Sequence, residues 1–275
     1  MTSPRPPGRA PCGLAVGPSL NPAQAPGFAL TASGWEYAGA MSETTAAVHD
    51  ARTGPAAALW DFDGTLADTE PVWIAAEFEL IASLGGSWSD EQADQLVGNS
   101  LLDSGAYILE AIGRPDLEPV WIVEQLLGRV ITHLRSHPMP WRPGALELLK
   151  SLAAAGVPCA LVSASYRVLL DAALDQLPAG TFQVSVAGDE VVNGKPHPEP
   201  YEKACAALGV EARRCVVFED SITGSLSGNA SGALVVSVPN RVEVPPAPRR
   251  VLIGSLTELD AAAVGRLMER ADELG

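Results

Sequence analysis

Hydrophobic and polar positions follow two regimes along this chain. Residues 57–60, Ala-Ala-Leu-Trp, form an unbroken apolar run that ends in Asp61-Phe62-Asp63-Gly64-Thr65. A short continuous apolar run bounded by turn residues predicts a buried strand opening into a loop. From Thr69 to about Ser136 the patterning is helical throughout. Trp73, Ala76, Phe78, Leu80, Ile81 and Leu84 predict a helix that stops at Gly85-Gly86. Ser89-Asp90-Glu91-Gln92 has the form of a helix start, and residues 101–112 and 119–134 add two apolar-periodic segments. About four helices and no strand are expected there.

From Pro143 onward strands and helices alternate. Helices are expected over 145–155, closed by Gly156, over 168–177, and over 200–208 with Gly209 as cap. Strands are expected over 157–163, 184–187, 215–218 and 234–238. Gly224, Gly228 and Gly232 are expected to let a helix lie close to the sheet. Alternation with continuous apolar strands implies a parallel sheet covered by helices on both faces. The strand near residue 59 should join it. The expected fold class is α/β: a doubly wound, Rossmann-like parallel-sheet core from residues 55–68 and 142–275, with an inserted α-helical domain over 69–141.

Residues 1–54 sustain neither period. They are rich in Pro, Gly, Ala, Ser and Thr, opening with Pro4-Arg5-Pro6-Pro7-Gly8-Arg9, and are expected to be a disordered extension. The apolar stretch from Cys12 to Leu20 is short and is broken by Gly13, Gly17 and Pro18, unlike a secretory signal. Met41 is a second candidate start of translation; a native peptide from residues 1–40 seen by mass spectrometry would remove it.

Composition narrows the function classes. Of 275 residues, 47% are apolar and 19% charged, as in a folded globular protein. The net charge of −15 opposes binding to nucleic acid or to anionic lipid. No run of 18 uncharged apolar residues offers a membrane span. Cys12, Cys159, Cys205 and Cys215 lack the paired spacing of a disulfide framework or zinc site, so a cytoplasmic setting is expected. These patterns set no oligomeric state.

Ligands of open α/β sheets bind beyond the carboxyl ends of the strands. There the chain places Asp61 and Asp63, then Ser163, Ala164 and Ser165, then Lys195 on a loop, then Glu219, Asp220 and Ser221. Carboxylates gathered at one rim would repel unless a divalent cation neutralised them, and all-oxygen ligands favour Mg²⁺. A metal, a lysine and small donors suit a phosphoryl group. Asp61 could attack phosphorus, and Asp63 could protonate the leaving oxygen and later deprotonate water.

The same residues carry a family resemblance. The run Asp61 to Glu70, Asp-Phe-Asp-Gly-Thr-Leu-Ala-Asp-Thr-Glu, resembles the first signature of the haloacid dehalogenase-like hydrolases. Leu161-Val162-Ser163-Ala164-Ser165, Gly194-Lys195-Pro196-His197-Pro198-Glu199-Pro200-Tyr201 and Phe218-Glu219-Asp220-Ser221-Ile222-Thr223-Gly224 resemble the second, third and fourth, in order, within about residues 57–240. The resemblance implies Asp61 as nucleophile and metal ligand, and Asp63 as general acid/base with its backbone carbonyl on the metal. It implies Ser163 and the amide of Ala164 on the phosphate, Lys195 orienting nucleophile and phosphate, and Asp220 with Glu219 completing the Mg²⁺ shell. The helical insertion is similar to the substrate-selecting cap of the beta-phosphoglucomutase/phosphatase-like branch.

Mutases of that branch carry a His where this chain has Trp73, and an Arg after Gly-x-Ser where Leu101 follows Gly98-Asn99-Ser100. No Lys occurs between Thr69 and Trp141; Arg114, Arg129 and Arg135 are the basic residues left there. The expected function is a Mg²⁺-dependent phosphatase acting on a small phosphate monoester, with a sugar phosphate as one candidate. A phosphomutase is the alternative, and a non-enzymatic binding module the second rival.

The remaining polar and aromatic positions have plainer expectations. Asp68 is read as structural, Ser165 as a helix N-cap and His197 as a loop residue. Arg167 is read either as an aid to phosphate binding or as solvent-facing. Phe78 is read as packing, Trp73 and Trp88 as pocket or packing, and Cys159 and Cys215 as core fillers.

Overall fold

A computed structural model describes residues 54–96 and 98–273. The expectations for an N-terminal extension and for Met41 lie outside these residues. Six parallel strands form one sheet in the order β3-β2-β1-β4-β5-β6. They are β1 (Ala57–Trp60), β2 (Cys159–Val162), β3 (Val184–Val186), β4 (Cys215–Glu219), β5 (Leu234–Ser237) and β6 (Arg250–Leu252). The central strand β1 pairs with β2 on one side and β4 on the other, with Leu59 opposite both Ala160 and Val217.

Successive strand residues face opposite sides, and both sides are apolar. Ala58 and Trp60 enter one hydrophobic cluster, and Ala57 and Leu59 the other. The second face is covered by α7 (Glu199–Leu208) through Tyr201, Ala204 and Cys205. The first face carries α5 (Ala145–Ala154) and α6 (Arg167–Leu174), and its cluster runs on into the helical insertion. That insertion is α1 (Glu70–Ser83), α2 (Asp90–Asp94), α3 (Leu101–Ala111) and α4 (Pro119–Ser136), with no strand among its described residues. Ser89 caps α2 in a reciprocal capping box with Gln92.

The α1 face differs from expectation at one position. Trp73, Ala76, Glu77, Leu80 and Ile81 are buried, whereas Phe78 is only half-buried. A period of 3.6 residues puts position 77, not 78, on the stripe of 73, 76 and 80, so a carboxylate turns inward. The described residues also form α8 (Ile222–Ala230) and α9 (Ala261–Glu269). Gly228 allows α8 to approach Val217 and Val235, where a Cβ would come within 2.9 Å of Val235. Gly232 instead supplies a turn after α8 at φ +88°, a left-handed conformation. No described helix is long and apolar enough to cross a membrane.

Candidate active site

The carboxyl ends of β1, β2 and β4 bring the expected residues to one cavity. Asp61, Asp63, Ser163, Ala164, Lys195 and Asp220 all line it. This is the rim beside which the strand order reverses, where β2 and β4 flank β1 and leave a crevice. Lys195 arrives on the loop between β3 and α7. Glu219, the last residue of β4, is fully buried behind the others.

Lys195 is the electrostatic hub. Its Nζ donates to Asp61 Oδ1 at 2.7 Å, to Glu219 Oε1 at 2.6 Å and to the Val162 carbonyl at 3.0 Å. Burial alone would lower the lysine pKa, but the adjoining carboxylates overcome it, raise it and keep the ammonium charged. Glu219 is saturated by its own surroundings. Its Oε1 also accepts from Tyr201 Oη at 2.7 Å, and its Oε2 accepts from the Asp220 amide and from both the amide and hydroxyl of Ser221. Tyr201 is not among the expected site residues: on α7 it belongs to a buried, largely apolar helical stripe, and its hydroxyl reaches the site through Glu219.

Asp63 sits in a basket of donors. Thr69 Oγ1 and Trp73 Nε1 donate to Oδ1 at 2.6 and 3.1 Å. Ser165 Oγ and Ser163 Oγ donate to Oδ2 at 2.7 and 3.3 Å. Ser163 Oγ in turn accepts from the Ser165 amide at 2.9 Å. Ser165 is therefore not the cap of α6: the carboxylate captures its hydroxyl, and Asp189 caps the helix by accepting from the Arg167 amide at 2.8 Å. Arg167 does not line the cavity: its partly exposed guanidinium pairs with Asp171 within α6 and ties the helix to Glu190 and Ser185. Asp68 Oδ1 accepts from Asn240, and His197 Nδ1 from the Glu199 amide, both structural contacts.

The acidic groups have one clear need. Asp61, Glu219 and Asp220 each place an oxygen within 4.8 Å of the others. Burial, then Glu219, push the Asp61 carboxyl up to about 7 despite Lys195. Burial, then Asp61, push Asp220 well above the usual carboxylate range. Asp61 Oδ2 is buried without a hydrogen-bond partner among the described residues. An orphaned carboxylate oxygen inside an acidic cluster is the donor set a hard divalent cation takes. Gly64 belongs to this arrangement: at φ +89°, a Cβ there would lie 2.1 Å from Asp220 Oδ2.

The far wall comes from the helical insertion. Glu70, Trp73 and Glu77 of α1 line the cavity with Ala93, Leu96, Leu101, Ser104, Val123 and Leu126. Among the described residues, Lys195 is the sole cationic side chain lining it. Burial pushes Glu70 and Glu77 up to about 7 each. Trp88 donates to Glu77 Oε2 at 3.1 Å.

Comparison with known proteins agrees with this geometry. A sequence profile described as haloacid dehalogenase-like hydrolase matches residues 58–238. Hexitol phosphatase B of Escherichia coli K12 is 32% identical over 213 residues, covering 74% of this chain and 94% of that protein. Validoxylamine A 7'-phosphate phosphatase of Streptomyces hygroscopicus subsp. limoneus is 30% identical over 214 residues, covering 76% and 97%. The crystal structure of CbbY from Rhodobacter sphaeroides in complex with phosphate superposes with a TM-score of 0.68 at 28% identity, covering 74% and 96%.

Proposed function

The chain belongs to the haloacid dehalogenase-like hydrolase family and acts on phosphate esters, and on that premise we propose how it works. It is a Mg²⁺-dependent phosphatase of a small monoester, such as a sugar or polyol phosphate, working through an aspartyl-phosphate on Asp61. The observation that carries this reading is the pairing of a lysine-held carboxylate, Asp61, with a second carboxylate, Asp63, held by four donors on one cavity.

Asp61 and Asp220, with the backbone carbonyl of Asp63, would hold the cation. When bound, it supplies the positive charge that keeps both carboxylates ionised and draws charge off the phosphoryl oxygens. Glu219, its oxygens already engaged, acts by fixing Lys195 and the turn that carries Asp220. Lys195 keeps Asp61 in one orientation, and Ser163 with the Ala164 amide receives a phosphoryl oxygen.

An Asp61 oxygen attacks phosphorus as the ester P–O bond breaks, and Asp63 gives its proton to the departing oxygen. Asp63 then takes a proton from water, whose oxygen attacks phosphorus, breaking the bond to Asp61 and releasing inorganic phosphate. The helical insertion over 69–141 serves as the cap that closes the cavity and meets the leaving group.

Purified protein should release phosphate from p-nitrophenyl phosphate with Mg²⁺. Asp61→Asn should lower kcat by about 10⁴-fold or more, as expected for loss of a nucleophile. Conversion of a hexose 1-phosphate to its 6-phosphate without phosphate release would favour a mutase instead. Full activity of Asp61→Asn would overturn the covalent route.

A further inference from the structure

We infer that Glu77 is the leaving-group ligand of this cavity: its carboxyl bonds a hydroxyl of an uncharged, hydroxyl-bearing leaving group, and the wall around it turns away esters carrying a second anionic group. The inference rests on the phosphatase reading above and concerns what that reaction selects.

Glu77 is only 5% exposed, yet its side chain lines the cavity. It stands four residues after Trp73, whose indole holds Asp63. One helical turn therefore separates it from the reacting end, about 5–6 Å along α1, the distance of a leaving group's next few atoms. Its carboxyl is fixed on one side. Trp88 Nε1 binds Oε2, and the Trp88 ring packs edge-on against Tyr107 with centroids 6.1 Å apart. Oε1 has no hydrogen-bond partner among the described residues.

A buried carboxyl costs stability unless something bonds it. Among the described residues, the cavity wall around it carries no cationic side chain: Ala93, Leu96, Val123 and Leu126 are apolar, and Arg241, whose charge reaches Glu77, lies outside the cavity and is paired with Asp94. Arg114 pairs with Asp116, and neither Arg129 nor Arg135 lines the cavity. A second phosphate or a carboxylate would meet Glu77 in a low-dielectric wall where, among the described residues, no cationic side chain lines the cavity beside it. An apolar leaving group would leave Oε1 unpaired. A hydroxyl fits either form of Glu77, donating to the carboxylate or accepting from the carboxyl, and Ser104 supplies a neutral hydroxyl on the same wall.

The test compares kcat/KM for phosphate release from sorbitol 6-phosphate, 2-phosphoglycolate and fructose 1,6-bisphosphate, with Mg²⁺. The wild type should prefer sorbitol 6-phosphate by about 100-fold, the scale of an uncompensated like-charge contact. Glu77→Gln keeps the shape and the Trp88 contact but removes the charge, and should narrow that preference by about 10-fold. Trp88→Phe, outside the cavity, should raise KM for sorbitol 6-phosphate more than it lowers kcat, and it keeps the test available should Glu77→Gln not fold.

Equal efficiency of the wild type on sorbitol 6-phosphate and 2-phosphoglycolate would overturn the inference. So would a selectivity unmoved in both folded variants, or a preference of about 10-fold or more for glucosamine 6-phosphate over glucose 6-phosphate, the mark of an ion pair. Failure of the phosphatase reading itself is distinguishable, because p-nitrophenyl phosphate would then also go uncleaved.

Discussion

Asp63 shows how much of the site is built by residues that take no part in bond making. Thr69, Trp73, Ser163 and Ser165 each donate to it, so its two oxygens are aimed before any ester arrives. Trp73 is the instructive member, because its ring is also buried in the core of α1. Trp73→Phe keeps most of the apolar contact and deletes the N–H. Leaving a partly buried acceptor one hydrogen bond short costs about 1–3 kcal/mol, so kcat should fall about 5- to 100-fold. KM should change little, because the contact positions the acid rather than the ester. Steady-state kinetics on p-nitrophenyl phosphate would show this; a rise in KM at constant kcat would contradict it. Asp61, Asp63, Ser163, Lys195 and Asp220 were legible in the sequence because each ends a continuous apolar run or sits in a short signature. The sequence leaves Trp73 between pocket and packing; Thr65 and Tyr201 stand in the signatures without a role of their own, and no pattern singles out Glu77. They stand inside helices or loops where apolar packing explains the residue type, and only the fold shows which polar atom reaches Glu219, Asp220 or the cavity.

At the scale of elements, the junction of β4 with α8 sets the rear of the site. Gly224 lies in the first turn of α8, and a Cβ there would fall 1.8 Å from Glu219 Oε1, the oxygen that holds Lys195. An alanine in a helix ordinarily stabilises by about 0.5–1 kcal/mol over glycine. Gly128, exposed within α4, has nothing within 4 Å of its would-be Cβ. Gly128→Ala should therefore raise stability by about that amount. Gly224→Ala should lower it by about 1–3 kcal/mol through overpacking and cut kcat by displacing Glu219 and with it Lys195. Urea unfolding of the two variants, with kcat for each, separates a propensity effect from a clash. Stabilisation of both would mean that Glu219 can move without cost. The glycines of this helix are readable in the sequence as a close-packing signal, whereas β6 and α9 carry no comparable signal. β6 has three residues, and its first, Arg250, is buried while bonding Asn229 and the Pro245 carbonyl, so no apolar run announces it. α9 starts from three consecutive alanines, a stretch without a hydrophobic period, and its start shows as the Asp260 side chain capping the Ala263 amide at 2.7 Å.

For the whole molecule, acidity is a folding problem that the cation would relieve. The chain carries a net charge of −15, and its most buried carboxylates converge on one cavity. Without metal, the folded-state pKa of Asp61 stands at about 7, above its ordinary value of 3.8. A carboxyl raised on folding gives stability that is present below the unfolded value and is lost as pH rises through the folded value. The metal-free protein should thus be less stable at pH 8 than at pH 6. Cation binding needs both Asp61 and Asp220 ionised, so protons compete with it at pH 6 and much less at pH 8. At a concentration 100 times its dissociation constant, a ligand of the folded state adds about 2.7 kcal/mol, or about 5–10 °C in Tm for a domain of this size. Differential scanning fluorimetry with EDTA or with MgCl₂ should show that increment at pH 8, a smaller one at pH 6, and almost none in Asp220→Asn at either pH. The sign separates two origins of the acidic cluster. A cation site gains from rising pH, whereas carboxylates kept protonated to bond one another would lose stability with pH and gain nothing from Mg²⁺, in wild type and variant alike.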